Sequence, residues 1–598
     1  MIQPQKALHT FLHLFRGTSC FFSIALILCV IFDYGFNLTP REIHYVDKVY
    51  HLVWIYFGAI YLYKVIFRHS HIAYKTHFMT WLVGVLLVFS LFPVIFGDGS
   101  GGNGVWSNLL LIFSHKYYLV PLLLLLSFVE LSTVVMSVVN RKINPALIMV
   151  VGFAIVIIVG AILLMLPRST HVPISIVDSL FISTSAVCVT GLTPLDIATV
   201  FTPGGQFIIA LLIQIGGLGV MTLTSFFALF FMGGTGLYSQ FALRDMVSGD
   251  TFGTLVSTLL YILGVTFFIE LTGMFCIWLT IHGTLGMSLY QELGFAAFHS
   301  VSAFCNAGFS TLTGNLGNPL LMQGHNGFFW VISCLIVMGG IGFPIIANFK
   351  SVLAHHIKNG WYRFTGKHEK IHKIRHLTNL NTRIVLVTTG TLLVAGTLSF
   401  LLLEWWGAFA AMPAGDKITH AFFNAVSPRT AGFNSVDLTH FSLQSILIYI
   451  FLMWVGGAAQ STAGGIKVNT LGVAIANLWA VVRGADRVEL YHRELSNDSM
   501  RRAGATIFTS FLLIALFGFT LTIVQPDVSP LRLLFETVSA LGTVGSSLNT
   551  TPLLNSTAKS LIILLMFAGR VGIITLIMCF VRPRSYKYHY PKDKVIIN

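Results

Sequence analysis

Four short segments of this chain carry residues whose types and spacing suit ion chemistry. They are Val189-Thr190-Gly191, Asn306-Ala307-Gly308, Thr430-Ala431-Gly432 and Thr543-Val544-Gly545. Aligned on the glycine, they read LFISTSAVCVTGL, AFHSVSAFCNAGF, AFFNAVSPRTAGF and LFETVSALGTVGS. Phe181, Phe298, Phe422 and Phe535 stand ten residues before each glycine, and Ser185, Ser302, Val426 and Ser539 stand six before it. Successive glycines lie 117, 124 and 113 residues apart, which is a fourfold internal repeat. No acid occupies these positions, so what the segments offer is backbone. Extended strands packed round an axis present carbonyl oxygens that replace the water shell of a cation. Glycine tolerates the left-handed backbone that keeps consecutive carbonyls pointing inward. Selection by carbonyl dipoles suits a monovalent ion better than a divalent one. The plainer reading of any single copy is a glycine-capped turn between membrane helices. Four copies in one register, each between long apolar segments, favour the filter.

Two further features lie downstream. The stretch FLMWVGGAAQSTAGGIKVNTLGVAIANLW sets Gly456-Gly457 and Gly464-Gly465 around Gln460, Ser461 and Thr462, with Lys467 just beyond. Each glycine costs a helix about 1 kcal/mol against alanine, so an intramembrane loop acting as a gate is expected. Such backbone is tolerated at membrane depth where it lines a cavity; a kinked, closely packed helix is the alternative. Arg570, in MFAGRVGIITL, is a charge within an apolar span 25 residues after Gly545. An intramembrane charge points to function, and the alternative is snorkelling to the interface. Lys467 is open between lining a pathway and snorkelling. Gly216-Gly217-Leu218-Gly219 and Gly339-Gly340-Ile341-Gly342 are expected to serve close helix packing. Glu130, Glu270 and Glu404 sit near apolar spans and are candidates for proton coupling, without a partner that sequence identifies.

The elements that must position these residues follow from composition. The 598 residues are 55% hydrophobic and only 10% charged, against roughly 25% charged in soluble domains. Runs near 20 apolar residues match the thickness of a bilayer core, so the chain is a polytopic membrane protein. Four spans are predicted first, at 19–33, 51–67, 79–96 and 117–139. Four pairs follow: 145–166 with 205–232, 254–280 with 327–349, 382–404 with 440–480, and 503–524 with 558–581. A glycine segment lies between the members of each pair. Its preceding residues suffice for a helix reaching half-way across the membrane, with an extended return. The predicted fold is all-α: four span–pore-helix–span repeats around one pseudo-fourfold pore, preceded by about four extra transmembrane helices. The divisions are 1–140, repeats at 141–240, 241–355, 356–485 and 486–585, and a tail at 586–598.

Basic residues collect at Arg141-Lys142, in 350–383, in 483–502 and at the C-terminus, all opposite the glycine segments. The bias of Lys and Arg toward the cytoplasm therefore puts both termini inside. The formal net charge of +14 is read as topology and attraction to anionic membrane lipid, with no nucleic acid. Seven cysteines without a CxxC pair give neither a disulfide framework nor a metal site. HExxH and Walker patterns are absent, so the chain is not expected to be an enzyme or to handle ATP.

VTGL, NAGF, TAGF and TVGS in one chain of four span-pore-span units resemble the Trk/Ktr/HKT superfamily of potassium transporters. The likeness is closest to the bacterial TrkH-type uptake subunit and covers roughly 145–581. It implies one selectivity filter, lined by the four glycine segments, that holds K⁺ through backbone carbonyls. Glycine rather than serine at position 191 implies potassium over sodium. The resemblance also implies that the third-unit loop gates and that Arg570 lies in the ion pathway and opposes leak. It implies a homodimer in the bacterial inner membrane, seated on a separate cytosolic ring of nucleotide-binding regulatory subunits, with no cofactor in the chain itself. The basic loop 350–383 and tail 582–598 are where such a ring would dock. The four helices of 1–140 exceed the family's usual extension of two. A proton- or sodium-coupled symporter, or a Na⁺-permeable member, is the alternative; its mark, paired acids or histidines within spans, is sparse.

Overall fold

The structure, a computed structural model, describes residues 3–66, 85–90, 116–139, 145–231, 255–322, 324–365 and 379–580. Most of the predicted third span, much of the basic loop and the C-terminal tail lie outside the described residues. The described chain is helical apart from loops and one short hairpin, Glu489–Leu490 against Arg493–Glu494. It is a multi-pass membrane protein.

Helices α1 (Gln3–Gly35), α2 (Pro40–Ile66) and α3 (Lys116–Val139) pack around Leu26, Tyr50, Phe57 and Leu123. A polar clasp joins their ends: Lys116 pairs with Asp33 at 2.6 Å, and the buried Tyr50 hydroxyl donates to the same carboxylate at 2.9 Å.

Each following unit is a first helix, a half-helix and a return helix. Unit one is α4 (Pro145–Leu164), α5 (Ile176–Val187) and α6 (Pro203–Phe231). Unit two is α7 (Leu255–Ile281), α8 (Leu289–Phe304), α9 (Asn326–Ile341) and α10 (Phe343–Phe364). Unit three is α11 (Leu380–Glu404), α12 (Ala414–Val426), α13 (Leu443–Trp454) and α14 (Val468–Val482). Unit four is α15 (Asn497–Val524), α16 (Pro530–Gly542), α17 (Ser556–Val571) and α18 (Ile573–Phe580). The half-helices start at strong signals. Ser175 caps α5, Ser288 and Gln291 form a reciprocal capping box on α8, and Pro530 opens α16.

Every return helix is broken. The break expected in unit three is the loop 455–467 between α13 and α14. The others turn on a glycine with positive φ: Gly219 at 80°, Gly342 at 96° and Gly572 at 92°. At Gly342 the chain bends by 97° and at Gly572 by 95°. This corrects the expectation that the glycine clusters of units one and two serve packing alone. Gly216 and Gly339 do lie against backbone, at the carbonyls of Val187 and Phe304, where a Cβ would have no room. The last glycine of each cluster instead ends the helix. Broken return helices fall short of membrane thickness. Among the described residues, four uninterrupted helices are long and apolar enough to cross a bilayer, or six if each bent pair counts once.

Each half-helix packs on the return helix of the preceding unit: α8 on α6, α12 on α9, α16 on α13, and α5 on α17. The last contact closes a ring. Polar ties mark three seams. Lys559 on α17 meets Asp178 on α5 at 2.6 Å, and Asn326 on α9 donates to Asp416 on α12 at 2.6 Å. On the outer loops Asn549 donates to Asp437 at 3.2 Å. Burial would raise the Asp437 pKa, but hydrogen bonds from Thr439 and Asn549 outweigh it and hold the carboxyl below its usual value.

Candidate functional site

The four glycine segments meet at the centre of this ring, and all twelve of their residues are buried. In each, the residue two before the glycine is left-handed: Val189 at φ 56°, Asn306 at 60°, Thr430 at 76° and Thr543 at 50°. The glycines are left-handed too, at 94°, 70°, 72° and 96° for Gly191, Gly308, Gly432 and Gly545. The residue between them is not. Alternating handedness turns every other peptide over, so successive carbonyls share one face. Positive φ at a side-chain-bearing residue costs on the order of 1–3 kcal/mol and persists only where its surroundings enforce it.

Serines on the half-helices supply that enforcement. Ser185 Oγ accepts from Gly191 N at 3.0 Å, and Ser539 Oγ accepts from Gly545 N at 3.2 Å. Ser302 donates to Phe309 O at 2.8 Å, Ser539 to Ser546 O at 2.7 Å, and Ser427 to Phe433 O. Unit three therefore uses a serine one residue nearer its glycine. Alignment on the glycine put Val426 in that place, because it cannot register a one-residue slip between helix and strand.

The segments touch in sequence order. A Cβ on Gly191 would lie 2.5 Å from the carbonyl oxygen of Ala307. One on Gly308 would strike that of Ala431, one on Gly432 that of Val544, and one on Gly545 that of Thr190. Four backbones close on one another around one axis, and no side chain fits at the contact points.

The loop 455–467 lies directly against this ring. A Cβ on Gly464 would strike the Thr543 side chain, and one on Gly456 would lie 3.2 Å from the Thr430 methyl. Within the loop, Gly456 N donates to Ile466 O at 2.8 Å and Ser461 Oγ to Ala458 O at 2.7 Å. Gly457 O accepts from Val468 N at 3.0 Å, while Gln460 and Gly465 take φ of 58° and 63°. Four bonds join it to unit two, one of them from Phe343 N to Gln460 O at 3.2 Å. Ala458 N donates to Gly340 O at 2.8 Å, Thr462 N to Gly339 O at 3.3 Å, and Thr462 Oγ1 to Phe304 O at 3.1 Å.

Arg570, two residues before the Gly572 break, donates to Thr462 O in this loop and to Gly216 O in unit one. Sequence placed it below the glycine segment but named neither acceptor. Lys467 donates to Ala463 O at 2.7 Å and Gly464 O at 3.2 Å, so its ammonium serves the loop's own carbonyls. Arg429 escaped sequence reading. It is buried beside Thr430 and donates to Thr389 Oγ1 at 3.4 Å and Gly456 O at 3.5 Å, joining the third glycine segment to the start of the loop. The available signal was a guanidinium within the segment AFFNAVSPRTAGF, which carries no other charge.

The acids separate. Glu404 accepts from Ser442 N at 2.9 Å, Ser442 Oγ at 2.7 Å and Ala408 N at 3.1 Å, so it ties the end of α11 to neighbouring backbone. Glu270 accepts from Gln214 of unit one at 3.1 Å and lies 3.8 Å from Cys305 Sγ. The side chain of Glu130 lies outside the described set.

Comparison with known proteins gives a consistent result. Residues 123–588 match the TrkH family, described as cation transport proteins. The potassium/sodium uptake protein NtpJ of Enterococcus hirae is 31% identical over 479 residues, covering 78% of this chain and all of the relative. The Ktr system potassium uptake protein B of Bacillus subtilis is 33% identical over 462 residues, 76% of this chain and 97% of the relative. Among solved structures, the potassium transporter TrkH from Vibrio parahaemolyticus superimposes with a TM-score of 0.58 at 18% identity. That match covers 84% of this chain and 96% of the other, and establishes a shared fold.

Proposed function

The chain belongs to the TrkH family of cation transport proteins, and from that premise we propose that it takes up potassium through the ring of four glycine segments. It is a transporter subunit, not an enzyme. The observation that carries the proposal is the closed backbone contact from Gly191 through Gly308 and Gly432 to Gly545 and back to Thr190. Residues 189–191, 306–308, 430–432 and 543–545 are the filter in this reading. With no acid among them, an entering ion is held by carbonyl dipoles that replace its water.

The loop 455–467 is the gate, closed in the arrangement described. Freeing it from unit two breaks four hydrogen bonds, each worth about 1 kcal/mol net. A regulatory partner can supply that much through a difference in affinity for the two states. Arg570 ties the loop at Thr462 O to Gly216 O of unit one, and its charge beneath the ring repels a cation that leaves the filter. The four repeats are 141–240, 241–355, 356–485 and 486–585, and both termini are cytoplasmic in a bacterial inner membrane. The assembly is a homodimer on a cytosolic ring of nucleotide-binding subunits; the relatives named as Ktr system potassium uptake proteins support only that the chain works within a larger system.

A second reading, sodium permeation beside potassium, is favoured by one relative's name, a potassium/sodium uptake protein. Rb⁺ tracer uptake into proteoliposomes holding this chain, under a set membrane potential, separates the two. Uptake blocked by K⁺ and not by Na⁺ supports the potassium filter, and equal block by both supports the second reading. Uptake that requires a proton or sodium gradient would overturn passive permeation and turn attention to Glu270.

A further inference from the structure

The half-helices share a second layer behind the serines. One turn earlier on the same face, three residues before each serine, stand Ile182, His299, Asn424 and Glu536. The four differ in chemistry, yet all are fully buried. Three reach across to a serine just beyond the glycine of their own unit. His299 Nε2 lies 2.9 Å from Ser310 Oγ. Its Nδ1 faces the Phe295 carbonyl at 2.9 Å, which can only accept. Nδ1 therefore carries the proton, and Nε2 accepts from Ser310. Asn424 Nδ2 donates to Ser435 Oγ at 3.0 Å. Glu536 Oε1 accepts from Ser547 Oγ, and from Thr551 Oγ1 at 3.0 Å. Ser310 and Ser547 lie two residues after their glycines, and Ser435 lies three after, the same one-residue slip that unit three makes at its inner serine. In unit one the position is Ile182, which has no polar atom to offer.

We infer that His299, Asn424 and Glu536 are positioning residues that fix the outer limb of the filter strand in units two, three and four, while the strand of unit one lacks this clamp. The inner serines hold the amide or carbonyl next to the glycine. The outer clamp holds the chain beyond it, so the strand is pinned on both sides of its ion-facing carbonyls. A buried bond of this kind is costly to leave unmade, which gives the clamp leverage on carbonyl spacing. Three different side chains reach the same end, so the common property is a bond to a serine and not a charge. The inference rests on the filter reading above.

Rb⁺ uptake competed by K⁺ and Na⁺ tests it with Glu536→Leu, Glu536→Gln and Ser547→Ala, beside Gly545→Ala as a reference for the filter. Leucine keeps bulk and removes the acceptor; glutamine keeps an acceptor and removes the charge; Ser547→Ala removes one oxygen should the leucine variant fail to fold. Glu536→Leu and Ser547→Ala are each expected to reduce K⁺/Na⁺ discrimination about tenfold, the scale of one buried hydrogen bond. Their double variant should lose less than the two single losses combined, because both remove the Glu536–Ser547 bond. Glu536→Gln should stay within about twofold of the parent, since a neutral acceptor still makes the bond. Maximal uptake should change less than discrimination in every case. Full discrimination in both Glu536→Leu and Ser547→Ala would overturn the clamp, as would a glutamine variant as impaired as leucine. If Gly545→Ala loses discrimination and the clamp variants do not, the clamp alone fails. If Gly545→Ala also keeps it, the filter reading fails and takes the clamp with it.

Discussion

The glycine ring and the loop beneath it are both irregular backbone in a membrane protein, and they are held in opposite ways. Each glycine segment is fixed from within its own unit, by a serine of its own half-helix, and meets its neighbours mainly through backbone contact, with the Asn306 and Thr430 side chains also 3.4 Å apart. The loop 455–467 depends on other units. Its outward bonds run to Phe304, Gly339, Gly340 and Phe343 in unit two, and Arg570 of unit four reaches in to hold Thr462. The ring residues are buried throughout, whereas Ala459 at the loop's tip is exposed. A part that must keep its geometry is built from local, redundant bonds. The loop, which must move if it gates as proposed, is pinned by a few separable bonds to its surroundings.

That contrast breaks most clearly at the ring. Gly432→Ala puts a methyl against the Val544 carbonyl at a φ of 72°. The strain should lower K⁺/Na⁺ discrimination in Rb⁺ competition by about one to two orders of magnitude. Gly191→Ser meets the Ala307 carbonyl at 2.5 Å and should weaken discrimination in the same direction while the protein still folds. An unchanged ratio in that variant would remove unit one from the filter.

Changes to the loop's moorings should alter rate and spare selectivity. Arg570→Gln removes the charge and the bonds to Thr462 O and Gly216 O, so basal Rb⁺ influx should rise about tenfold at an unchanged K⁺/Na⁺ ratio. Thr462→Val loses the hydroxyl bond to Phe304 O, and basal influx should rise about fivefold. If either variant changed the ratio instead, ring and loop would be one device and not two. The smallest effect belongs to the seams. Lys559→Met removes the ion pair to Asp178 and should lower the Tm of the purified protein by no more than about 2 °C, with transport unaltered.

What sequence made legible follows the same division. The four glycine segments stood out because repetition in one register is visible without structure, and the third-unit break because Gly456, Gly457, Gly464 and Gly465 crowd into ten residues. The breaks at Gly219, Gly342 and Gly572 were not legible. A glycine in an apolar run reads alike whether it admits a neighbour's carbonyl, as Gly216 and Gly339 do, or turns to positive φ. The left-handed Val189, Asn306, Thr430 and Thr543 were hidden as well, because tertiary bonds enforce a conformation their side chains disfavour. Arg570 was conspicuous as a charge, but its acceptors are carbonyls, which leave no mark in a sequence. Glu270 lacked a visible partner because Gln214 lies 56 residues away in the preceding unit.

The contact of α5 with α17 joins the first unit to the last. During synthesis α5 is inserted long before α17 exists, so one flank of the first half-helix faces lipid until the final return helix arrives. The polar backbone of Thr190 and Gly191 then lacks Gly545 as its neighbour. Closure of the ring therefore waits on its last return helix: a nascent chain that stops before α17 (Ser556–Val571) offers α5 no partner at that seam.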